Sequence, residues 1–488
     1  MYYNALIKER RERGMAFEIN IALIINMILI ITLIFIERKR PINTIAWIFA
    51  VTFLPVIGFL LYLLLGQNLS RKKLFELKED EDRKLREFVS SQRESLENKE
   101  IKFKDKNIEK YKSIVTMNLV SDNAPFSQDN KIKIFTDAKS KFDDLLNDIK
   151  NAQKYIHIAY FIIRNDDISN KIIKALSEKA QEGVEVNLLY DPIGSFGTSY
   201  KIFQPLIDSG GNVSRFFQGK IWRANYRNHR KIVVIDGNIG YVGGINIGDE
   251  YLGKNKKMSP WRDTHLKLEG SSVYALELRF MMDFRHSFKG ADYSLERHYP
   301  EIKKPAGDIG VQIVSSGPDS LDEQVKYGYI KMINEARDYV YIQTPYFIPD
   351  DAFLEALKIS AMSGVDVRIM IPKIPDKKFV YMGSISYVEY LLKYGIKVYT
   401  YRGFLHAKTL VIDDAVLSIG TTNIDIRSFS LNFEVNAFIY DTESSRKYGE
   451  IFRKDMELSD EIKYDEFMRR GFLQKAGESI CRLLSPVM

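Results

Sequence analysis

The chain has 488 residues, which is more than one hydrophobic core usually holds, so we expect at least two packing units in addition to any membrane segment. Its single cysteine, Cys481, excludes a disulfide framework and any thiolate metal cluster. With 71 Lys and Arg against 64 Asp and Glu, the net charge is +7, which suits proximity to an anionic bilayer better than a dedicated nucleic-acid surface.

Two apolar runs near the N-terminus are each long enough to cross a bilayer. They span residues 16–36 and 44–65 and are separated by a short charged loop. At about 1.5 Å per helical residue, each run extends roughly 30 Å, which matches a hydrocarbon core. A signal peptide is the alternative for the first run, but it lacks a small-residue cleavage site and a second apolar run follows at once. We therefore predict a two-helix transmembrane hairpin within residues 1–69.

Basic residues around the two runs predict the orientation of the hairpin. The flanks before and after it hold Lys8, Arg10, Arg11, Arg13, Arg71, Lys72, Lys73 and Lys78, and the loop between the runs holds Arg38, Lys39 and Arg40. Because cytoplasmic flanks carry the excess of Lys and Arg, both ends of the hairpin are expected in the cytosol. Residues 70–112 then alternate in charge and are poor in Gly and Pro, which predicts a solvated helical linker.

Beyond the linker, strand-like and helix-like patterns alternate, which predicts an α/β domain with a largely parallel sheet. The pattern occurs twice, beginning at residues 155–161 and again at residues 339–347. Two copies at this distance argue against a solenoid and for two similar lobes, at residues 113–305 and 306–488. The alternative is that buried strands favour Val, Ile and Tyr whatever their ancestry, and these segments alone leave both interpretations open.

The same polar motif closes both copies of the pattern. It consists of His229, Lys231, Asp236 and Asn246 in the first copy, and of His406, Lys408, Asp413 and Asn423 in the second. An apolar β-branched run separates Lys from Asp, so the motif lies on a strand and its His and Lys point to the same face. A turn then starts a second strand that carries the Asn, so all three side chains can converge. One copy fits an ordinary strand with exposed polar residues, but two with identical spacing are not expected by chance.

These residue types suit chemistry on a phosphodiester. The phosphate group is negatively charged, so Lys ammonium groups and Asn amides are needed to stabilise its oxygens as charge builds in the transition state. A neutral imidazole is nucleophilic and titrates near working pH, so one His can attack phosphorus while another protonates the leaving oxygen. The two lobes would supply the two histidines.

The paired motif resembles that of the phospholipase D superfamily. This resemblance implies two α/β/α lobes related by a pseudo-twofold axis, with both histidines at the lobe interface. It also implies a covalent phospho-histidine intermediate and no required metal or other cofactor. By the same resemblance His229 is the nucleophile and His406 the general acid and then base, with the order left open by the symmetry of the motifs. Asp236 and Asp413 belong to the motif, and their position before turns predicts a structural role.

Each histidine needs an acceptor for its second ring nitrogen, because that acceptor sets the tautomer and stabilises the imidazolium. The candidates are Glu434, where the family has a carboxylate, and Asp263, whose match is looser because of an insertion. The alternatives are an ordinary strand carboxylate for Glu434 and a salt-bridge partner of Arg262 for Asp263. Arg427 and Ser428 are candidate donors to the phosphate. The histidines without a partner motif, expected to be ordinary surface or core residues, are His157, His286 and His298.

Further segments resemble bacterial cardiolipin synthases over nearly the whole chain. They are residues 40–47, 54–66, 261–265, 344–350, 427–434 and 482–486. This resemblance implies a multi-pass protein of the bacterial cell membrane with its catalytic domain on the cytoplasmic side. The reaction it implies moves a phosphatidyl group from one phosphatidylglycerol to another, giving cardiolipin and glycerol. The resemblance leaves open the donor lipid, the oligomeric state and the regulation.

Two alternatives use the same motif. A phospholipase D hydrolase would let water resolve the intermediate, and a nuclease would be expected to show a basic cleft with interleaved aromatics. Gly244 and Thr421 stand where the wider superfamily commonly has serine, and the missing hydroxyl at Gly244 could weaken one phosphate contact. The last helical stretch, residues 467–484, mixes basic and apolar residues and fits either a membrane surface or core packing.

Overall fold

The computed structural model describes residues 24, 26–31, 41–54, 58, 62, 79–216, 225–288, 305–320 and 322–483. The chain divides into two compact units. One comprises residues 1–71, 219–225 and 487, and the other comprises residues 72–218, 226–486 and 488.

The first unit contains the helix Pro41–Phe53, which lies mostly in the second apolar run. Gly58 lies so close to this helix that a Cβ atom would clash with the carbonyl oxygen of Ala50. The ring of Tyr62 meets Trp47 edge to face, with centroids 5.3 Å apart. Within the described residues, no helix reaches the length and apolarity that crossing a membrane requires. Much of both predicted spans lies outside the described residues.

The second unit holds all the strands that the structure describes. They are β1 (Ser127–Phe135), β2 (Tyr155–Tyr160), β3 (Glu185–Tyr190), β4 (Asn212–Arg215), β5 (Arg227–Asn228), β6 (Ile232–Ile235), β7 (Ile239–Gly243), β8 (Trp261–Arg262), β9 (His265–Glu269), β10 (Ile309–Ser316), β11 (Tyr339–Gln343), β12 (Phe347–Ile348), β13 (Asp366–Pro372), β14 (Lys397–Tyr401), β15 (Phe404–Leu405), β16 (Thr409–Ile412), β17 (Val416–Gly420), β18 (Ile424–Asp425), β19 (Asn432–Tyr440) and β20 (Ser459–Glu461).

Helices cover and connect these strands. They are Glu79–Glu97, Lys112–Asp122, Ala138–Asn151, Asp167–Gln181, Gln204–Asp208, Ser272–Ser287, Gln324–Glu335, Asp351–Met362, Lys378–Ile385, Val388–Lys393, Ile426–Ser430, Thr442–Glu457, Tyr464–Met468 and Phe472–Leu483, with short 3-10 helices at Lys106–Tyr111, Tyr200–Phe203 and Lys256–Met258.

One continuous sheet runs through both lobes. Its strands follow the order β20, β14, β13, β11, β16, β17, β19, β10, β1, β9, β7, β6, β2, β3, β4. Outward from the central β10–β1 pair, the two halves repeat the same arrangement of seven strands, and the second half adds β20 at its edge. The central pair is antiparallel, with Asn130 opposite Ile309, as a twofold relation between equivalent strands requires. This repetition confirms the two similar lobes.

The sheet is mixed, so the prediction of a largely parallel sheet was wrong. In each lobe only three neighbouring strands are parallel, β2–β3–β4 and β11–β13–β14. The apolar run of each motif forms a strand, β6 or β16, that begins directly after the motif lysine, so the motif His and Lys precede the strand instead of lying on it as predicted. Both of these motif strands pair with antiparallel neighbours on both sides. Each motif strand turns back as a hairpin at its aspartate, Asp236 or Asp413, and this turn creates the antiparallel half of each lobe.

The parallel strands are joined by helices with matching N-terminal caps. The side chain of Asp166 accepts the N–H of Ser169 at the start of Asp167–Gln181. In the second lobe, Asp350 accepts the N–H of Phe353 at 3.1 Å. Such a cap satisfies one of the amides left unpaired in the first helical turn.

Each lobe has its own hydrophobic core, and the segments before β1 pack with the second lobe. Leu145 and Ile158 belong to the core of the first lobe. The core of the second lobe contains Met332 together with Leu96 and Ile114, which precede β1 in the chain. These early helices therefore cover part of the second lobe.

Candidate functional site

Two short cross-lobe strand pairs position the motif histidines. β5 runs into His229 and pairs in parallel with the start of β19, and β15 runs into His406 and pairs in parallel with β8. The N–H of His229 donates to the carbonyl of Phe433 at 3.0 Å, and that of His406 donates to Arg262 at 2.7 Å. In both places the partner strand comes from the opposite lobe and leads directly into a carboxylate residue.

Each histidine hydrogen-bonds the carboxylate that its partner strand supplies. His229 Nδ1 lies 2.9 Å from Glu434 Oε2, and His406 Nδ1 lies 2.6 Å from Asp263 Oδ2. Both carboxylates are completely buried or nearly so. A carboxylate acceptor holds the proton on Nδ1, so Nε2 carries the lone pair of the neutral ring. We refer to these two pairs as the Glu434 dyad and the Asp263 dyad.

The two motif lysines lie beside the dyads. Lys231 Nζ donates to the carbonyl of His229 at 2.6 Å, and Lys408 Nζ donates to that of His406 at 2.5 Å. Both side chains are buried. Burial lowers the pKa of Lys231 to about 7 and that of Lys408 to about 8, against the opposing pull of the nearby carboxylates.

The electrostatics of the histidines link the two lobes. Burial lowers the pKa of His229 to about 4; the negative charge of Glu434 opposes this, while Lys231 and Lys408 add to it. Burial also lowers the pKa of His406, with contributions from Lys408 and Lys231. Each lysine thus acts on the histidine of the opposite lobe as well as its own, which indicates that the two motifs converge on one site.

Different neighbours support the two carboxylates. Thr421 Oγ1 donates to Glu434 Oε2 at 2.6 Å, and Asn432 Nδ2 donates to Oε1 at 3.2 Å. Burial raises the pKa of Glu434, but the charge and hydrogen bond of His229 outweigh this, so the pKa is lowered overall. The hydroxyl at position 421 therefore serves the carboxylate of this dyad.

The Asp263 dyad has a glycine in the corresponding place. Gly244 lies against the carboxylate, and a Cβ atom there would clash with Asp263 Oδ1. The oxygen instead accepts the N–H of Thr264 at 2.7 Å. The departure from serine at Gly244 thus has a steric reason, because the side chain of Asp263 occupies the space that a hydroxyl would need.

Aromatic rings surround the two histidines unequally. Around His406 the centroids of Trp261, Phe404 and Tyr251 lie at 5.6, 5.7 and 6.0 Å. The neighbouring ring of His229 is Phe161, at 4.9 Å. Sequence reasoning included Trp261 in a family segment but missed Tyr251 and Phe404, for which the sequence carries no motif.

The motif asparagines differ in their partners. Asn246 accepts the N–H of Ile162 at 3.1 Å and donates to the hydroxyl of Tyr251 at 2.8 Å, so its amide holds a loop and an aromatic ring. The Oδ1 atom of Asn423 is buried and has no hydrogen-bond partner among the residues that the structure describes.

Arg427 and Ser428 lie at the start of a short helix after β18. The N–H of Ser428 donates to Asp425 at 2.6 Å, which caps this helix. Burial lowers the pKa of the Arg427 guanidinium, and the charges of Asp425 and Asp191 oppose the shift. Arg427 is half-buried, and these two acidic side chains, one from each lobe, favour its positive charge.

The motif aspartates bind backbone rather than the imidazoles. The carboxylate of Asp236 accepts the amides of residues 153–155 at 2.7 to 3.0 Å. That of Asp413 accepts the amides of residues 337–339 at 2.8 to 2.9 Å. Both residues adopt positive φ in their turns. They tie the end of each motif strand to the start of the neighbouring strand, β2 or β11.

Buried arginines next to the dyads form ion pairs that sequence reasoning did not find. Arg230 donates to both oxygens of Asp283 at 3.0 and 2.9 Å and to the carbonyl of Glu434 at 3.1 Å. In the second lobe, Arg262 donates to Asp455 at 3.0 Å. Arg230 follows His229 in the chain and Arg262 precedes Asp263, so each ion pair holds one member of a dyad in place.

No three His, Cys, Asp or Glu side chains in the described part of the chain converge so as to hold a metal ion.

Comparisons with known proteins agree with the repeated architecture. A family profile described as "Cardiolipin synthase, PLD-like domain" matches residues 145–259 and 329–456, and one described as "Phospholipase_D-nuclease N-terminal" matches residues 24–67. The chain is 47% identical over 473 residues to a cardiolipin synthase of Staphylococcus aureus strain Mu50, which covers 96% of each chain. It is 43% identical over 479 residues to a cardiolipin synthase of Listeria monocytogenes serotype 4a strain HCC23, covering 97% of this chain and 99% of the relative.

A solved structure shares the fold at much lower identity. Phosphatidylserine synthase of Haemophilus influenzae Rd KW20 superposes with a TM-score of 0.60 and 14% identity, covering 77% of this chain and all of the other. This similarity concerns the fold.

Proposed function

Because this chain belongs to the cardiolipin synthase family, a group of phosphatidyltransferases in the phospholipase D superfamily, we propose that it joins two phosphatidylglycerol molecules into cardiolipin and releases glycerol. The observation that carries this proposal is the pair of His–carboxylate dyads, each built from both lobes, with a buried lysine beside each histidine. Such an arrangement suits two successive displacements at one phosphorus atom.

In the first step, Nε2 of His229 attacks the phosphorus of one phosphatidylglycerol. The bond from phosphorus to the headgroup glycerol oxygen breaks, and His406 gives its Nε2 proton to that oxygen. Glycerol leaves, and the phosphatidyl group stays bound to His229. Because Glu434 accepts the Nδ1 proton, it stabilises the positive charge that develops on the His229 ring.

In the second step, the neutral His406 takes a proton from the glycerol hydroxyl of a second phosphatidylglycerol. The hydroxyl oxygen attacks phosphorus, the bond from phosphorus to His229 breaks, and cardiolipin leaves. His229 is again neutral and His406 again protonated, so the cycle closes. The low pKa of His229 keeps it in the nucleophilic form at neutral pH.

The lysines and Asn423 complete the proposed site. Each ammonium uses one of its three protons for a backbone carbonyl, so two remain for phosphate oxygens. A bound phosphodiester is negative and acts against the burial that lowers the pKa of Lys231 and Lys408. It likewise favours the protonated form of His406. The buried Oδ1 of Asn423 offers an acceptor for a headgroup hydroxyl.

We further propose that the chain is a multi-pass protein of the bacterial cell membrane, with a hairpin at residues 16–36 and 44–65 and its catalytic domain on the cytoplasmic side. The N-terminal family match at residues 24–67 supports the hairpin. Phosphatidylglycerol and cardiolipin in the bilayer are then its partners, and nucleic acid is not. A tethered site meets both lipids at high effective concentration.

The test is incubation of the purified, detergent-solubilised protein with phosphatidylglycerol and EDTA, beside His229→Ala and His406→Ala. Mass spectrometry reads the lipid products and free glycerol. We expect cardiolipin and glycerol in equal amounts from the wild type, and neither from the variants. Phosphatidic acid without cardiolipin would show a hydrolase, and loss of turnover with EDTA would contradict the metal-free mechanism.

A further inference from the structure

The C-terminal helix Phe472–Leu483 presents its apolar side outward. Its large apolar side chains are exposed to 81% at Phe472, 85% at Leu473, 59% at Ile480 and 80% at Leu483. With 3.6 residues per turn, these four side chains fall within an arc of about 100° on the helix surface. A helix of a globular domain usually turns such an arc towards the core. We call this arc the apolar stripe.

The opposite side of the helix packs on the domain through small and polar residues. Cys481 and Glu478 are buried, and Glu478 accepts a hydrogen bond from Arg470 at 2.6 Å. Gly477 lies against Met382, whose methyl group would come within 2.7 Å of an added Cβ atom. The helix is therefore docked in a defined orientation, and the exposure of the apolar stripe follows from that docking.

The helix that receives this contact also connects to the candidate site. It is Lys378–Ile385, and its Ser384 hydroxyl accepts the N–H of Phe347 at 3.0 Å. The residue Asp376, just before this helix, lies close enough to Lys408 for its charge to raise the pKa of that lysine. One helix thus separates the apolar stripe from the segments that surround the second motif.

Basic side chains flank the apolar stripe. Helical geometry puts Lys475 and Arg482 together beside one edge of the stripe, where Lys475 donates to the carbonyl of Met468 and Arg482 lies over the ring of Tyr387. Arg469 is exposed just before the helix, and Lys377 and Lys378 are exposed at the start of the neighbouring helix. An apolar stripe with basic side chains along its edge fits the surface of a bilayer that contains anionic lipids.

We propose that the helix Phe472–Leu483 inserts its apolar stripe into the interfacial layer of a membrane rich in anionic phospholipid. The insertion reaches about 5 to 10 Å, the depth at which such helices lie. It holds the mouth of the candidate site at the lipid surface, where substrate headgroups are found. This inference rests on the proposed function, because a lipid substrate is the reason for the site to face a bilayer.

Depth-dependent quenching tests the insertion. The full-length protein carries Cys481→Ser, which removes the native cysteine, and Leu473→Cys, which is labelled with an environment-sensitive fluorophore. It is placed in vesicles of phosphatidylglycerol and phosphatidylcholine. The matched control places the label at Met362→Cys, on the helix Asp351–Met362, where the native side chain is 67% exposed. We expect lipids with a shallow nitroxide to quench the label at position 473 at least twofold more than the control. Equal quenching at both positions would overturn the proposal.

A second measurement connects the insertion to turnover. We expect Leu473→Glu with Ile480→Glu to reduce cardiolipin formation on long-chain vesicles about tenfold. Turnover of short-chain, monomeric phosphatidylglycerol should not change, because that substrate needs no bilayer contact. Ile359→Glu with Met362→Glu is the control for adding two acidic side chains at exposed apolar positions.

The outcomes separate the inference from the proposed function. Unchanged turnover on vesicles in the double variant at 473 and 480 would overturn the insertion, as would a stripe covered by a second copy of the chain in cross-linking and light scattering. No cardiolipin from the wild type on either substrate would overturn the proposed function, whereas the quenching result would still report on the insertion.

Discussion

The two dyads share one backbone arrangement but differ in the side chains that support them. In both, a two-residue parallel pairing between lobes brings the histidine to a carboxylate. Glu434 has one methylene more than Asp263 and is held by the hydroxyl of Thr421, whereas Asp263 fills the space beside Gly244. The backbone thus places the imidazole in the same way in both lobes. The length of the carboxylate side chain and the neighbours that hold it differ.

A second difference lies on another pair of corresponding strands, β2 and β11. His157 on β2 stacks on Phe280 and hydrogen-bonds Glu277 at 2.8 Å. At the corresponding place on β11, Tyr341 stacks on Phe452 with the same centroid distance of 4.7 Å. The first lobe therefore buries an ion pair where the second buries an aromatic pair. At this position the stacking distance is the same in both lobes although the side chains differ.

Removal of either histidine is the largest perturbation, and the leaving group tells the two roles apart. General acid catalysis contributes about 10²- to 10⁴-fold, and it is dispensable when the leaving group is acidic. We therefore expect His406→Ala to lose about 10³-fold or more on phosphatidylglycerol but to recover phospho-enzyme formation with a nitrophenyl phosphodiester. His229→Ala should recover nothing. Rapid-quench measurement of the phospho-enzyme checks this, and recovery in His229→Ala instead would exchange the two assignments.

Removal of a carboxylate charge is the next largest effect. Glu434→Gln and Asp263→Asn keep the size of the side chain, and we expect each to lower kcat by about 10³-fold, by analogy with the loss of the orienting carboxylate in hydrolase triads. The negative charge of each carboxylate raises the pKa of its histidine, so both substitutions should lower that pKa further. For Asp263→Asn the alkaline limb of the pH profile should therefore move to lower pH.

The leaving-group series again separates the dyads. An acidic leaving group should rescue the first step in Asp263→Asn and leave Glu434→Gln impaired. Equal rescue in both variants would show that the dyads do not divide the roles of nucleophile and acid.

Exchange of the supporting residues should have unequal effects in the two lobes. A side chain at Gly244 clashes with Asp263, so we expect Gly244→Thr to reduce kcat by about 30-fold or more through displacement of the Asp263 dyad. Thr421→Gly removes one hydrogen bond to Glu434, but Asn432 still donates to that carboxylate, so we expect the lower end of the roughly 1.5 to 3 kcal/mol of a charge-assisted bond, which is a loss of roughly tenfold. Steady-state measurement of kcat for both variants tests this order. A larger loss of kcat in Thr421→Gly than in Gly244→Thr would contradict it.

The buried ion pair of the first lobe, His157 with Glu277, should change the pH dependence of stability more than it changes activity. Burial acts to lower the pKa of His157, but the charges of Glu277 and Glu185 outweigh it and raise the pKa to about 9. This value is above that of the unfolded chain, so the contribution to stability is complete below about pH 6.5 and is lost as the pH rises through 9. We expect the melting temperature to fall by a few degrees over this interval.

The double variant His157→Phe with Glu277→Leu is the control for this pH dependence. It replaces the ion pair by apolar side chains, as in the second lobe, and should flatten the dependence between pH 6.5 and 9. A wild type and variant with parallel melting curves across this interval would contradict the assigned role of His157.

The motif and its duplication could be predicted from the sequence because they are local patterns. The spacing of His, Lys, Asp and Asn needs only strand periodicity and a turn, and both copies carry it within about 20 residues. The aspartates at Asp236 and Asp413 follow the same logic, since each stands at a strand end and accepts backbone amides there. Reliance on local periodicity also explains why the prediction of a largely parallel sheet was wrong. A buried apolar strand has the same sequence pattern whether its neighbours are parallel or antiparallel.

The residues that sequence reasoning missed are those defined by contacts between distant segments. Arg230 was given no role from the sequence, yet it pairs with Asp283, 53 residues further along the chain. His157 was expected to be an ordinary surface or core residue, and it is a core residue, but the sequence did not show its partner Glu277, on a helix that starts more than a hundred residues later. Gly244 was interpreted as a lost phosphate contact, whereas its neighbour in space is Asp263.

The sequence by itself determined the two-lobed α/β class, the family and the set of groups able to act on a phosphodiester, because strand period, turn chemistry and motif spacing are properties of short segments. The tertiary structure alone decided that each histidine meets a carboxylate of the opposite lobe, and that the C-terminal helix turns its apolar stripe outward. Both depend on which surfaces pack together across the whole chain. The packing is determined by the apolar area buried and the polar groups paired in the complete fold, and no local pattern contains that information.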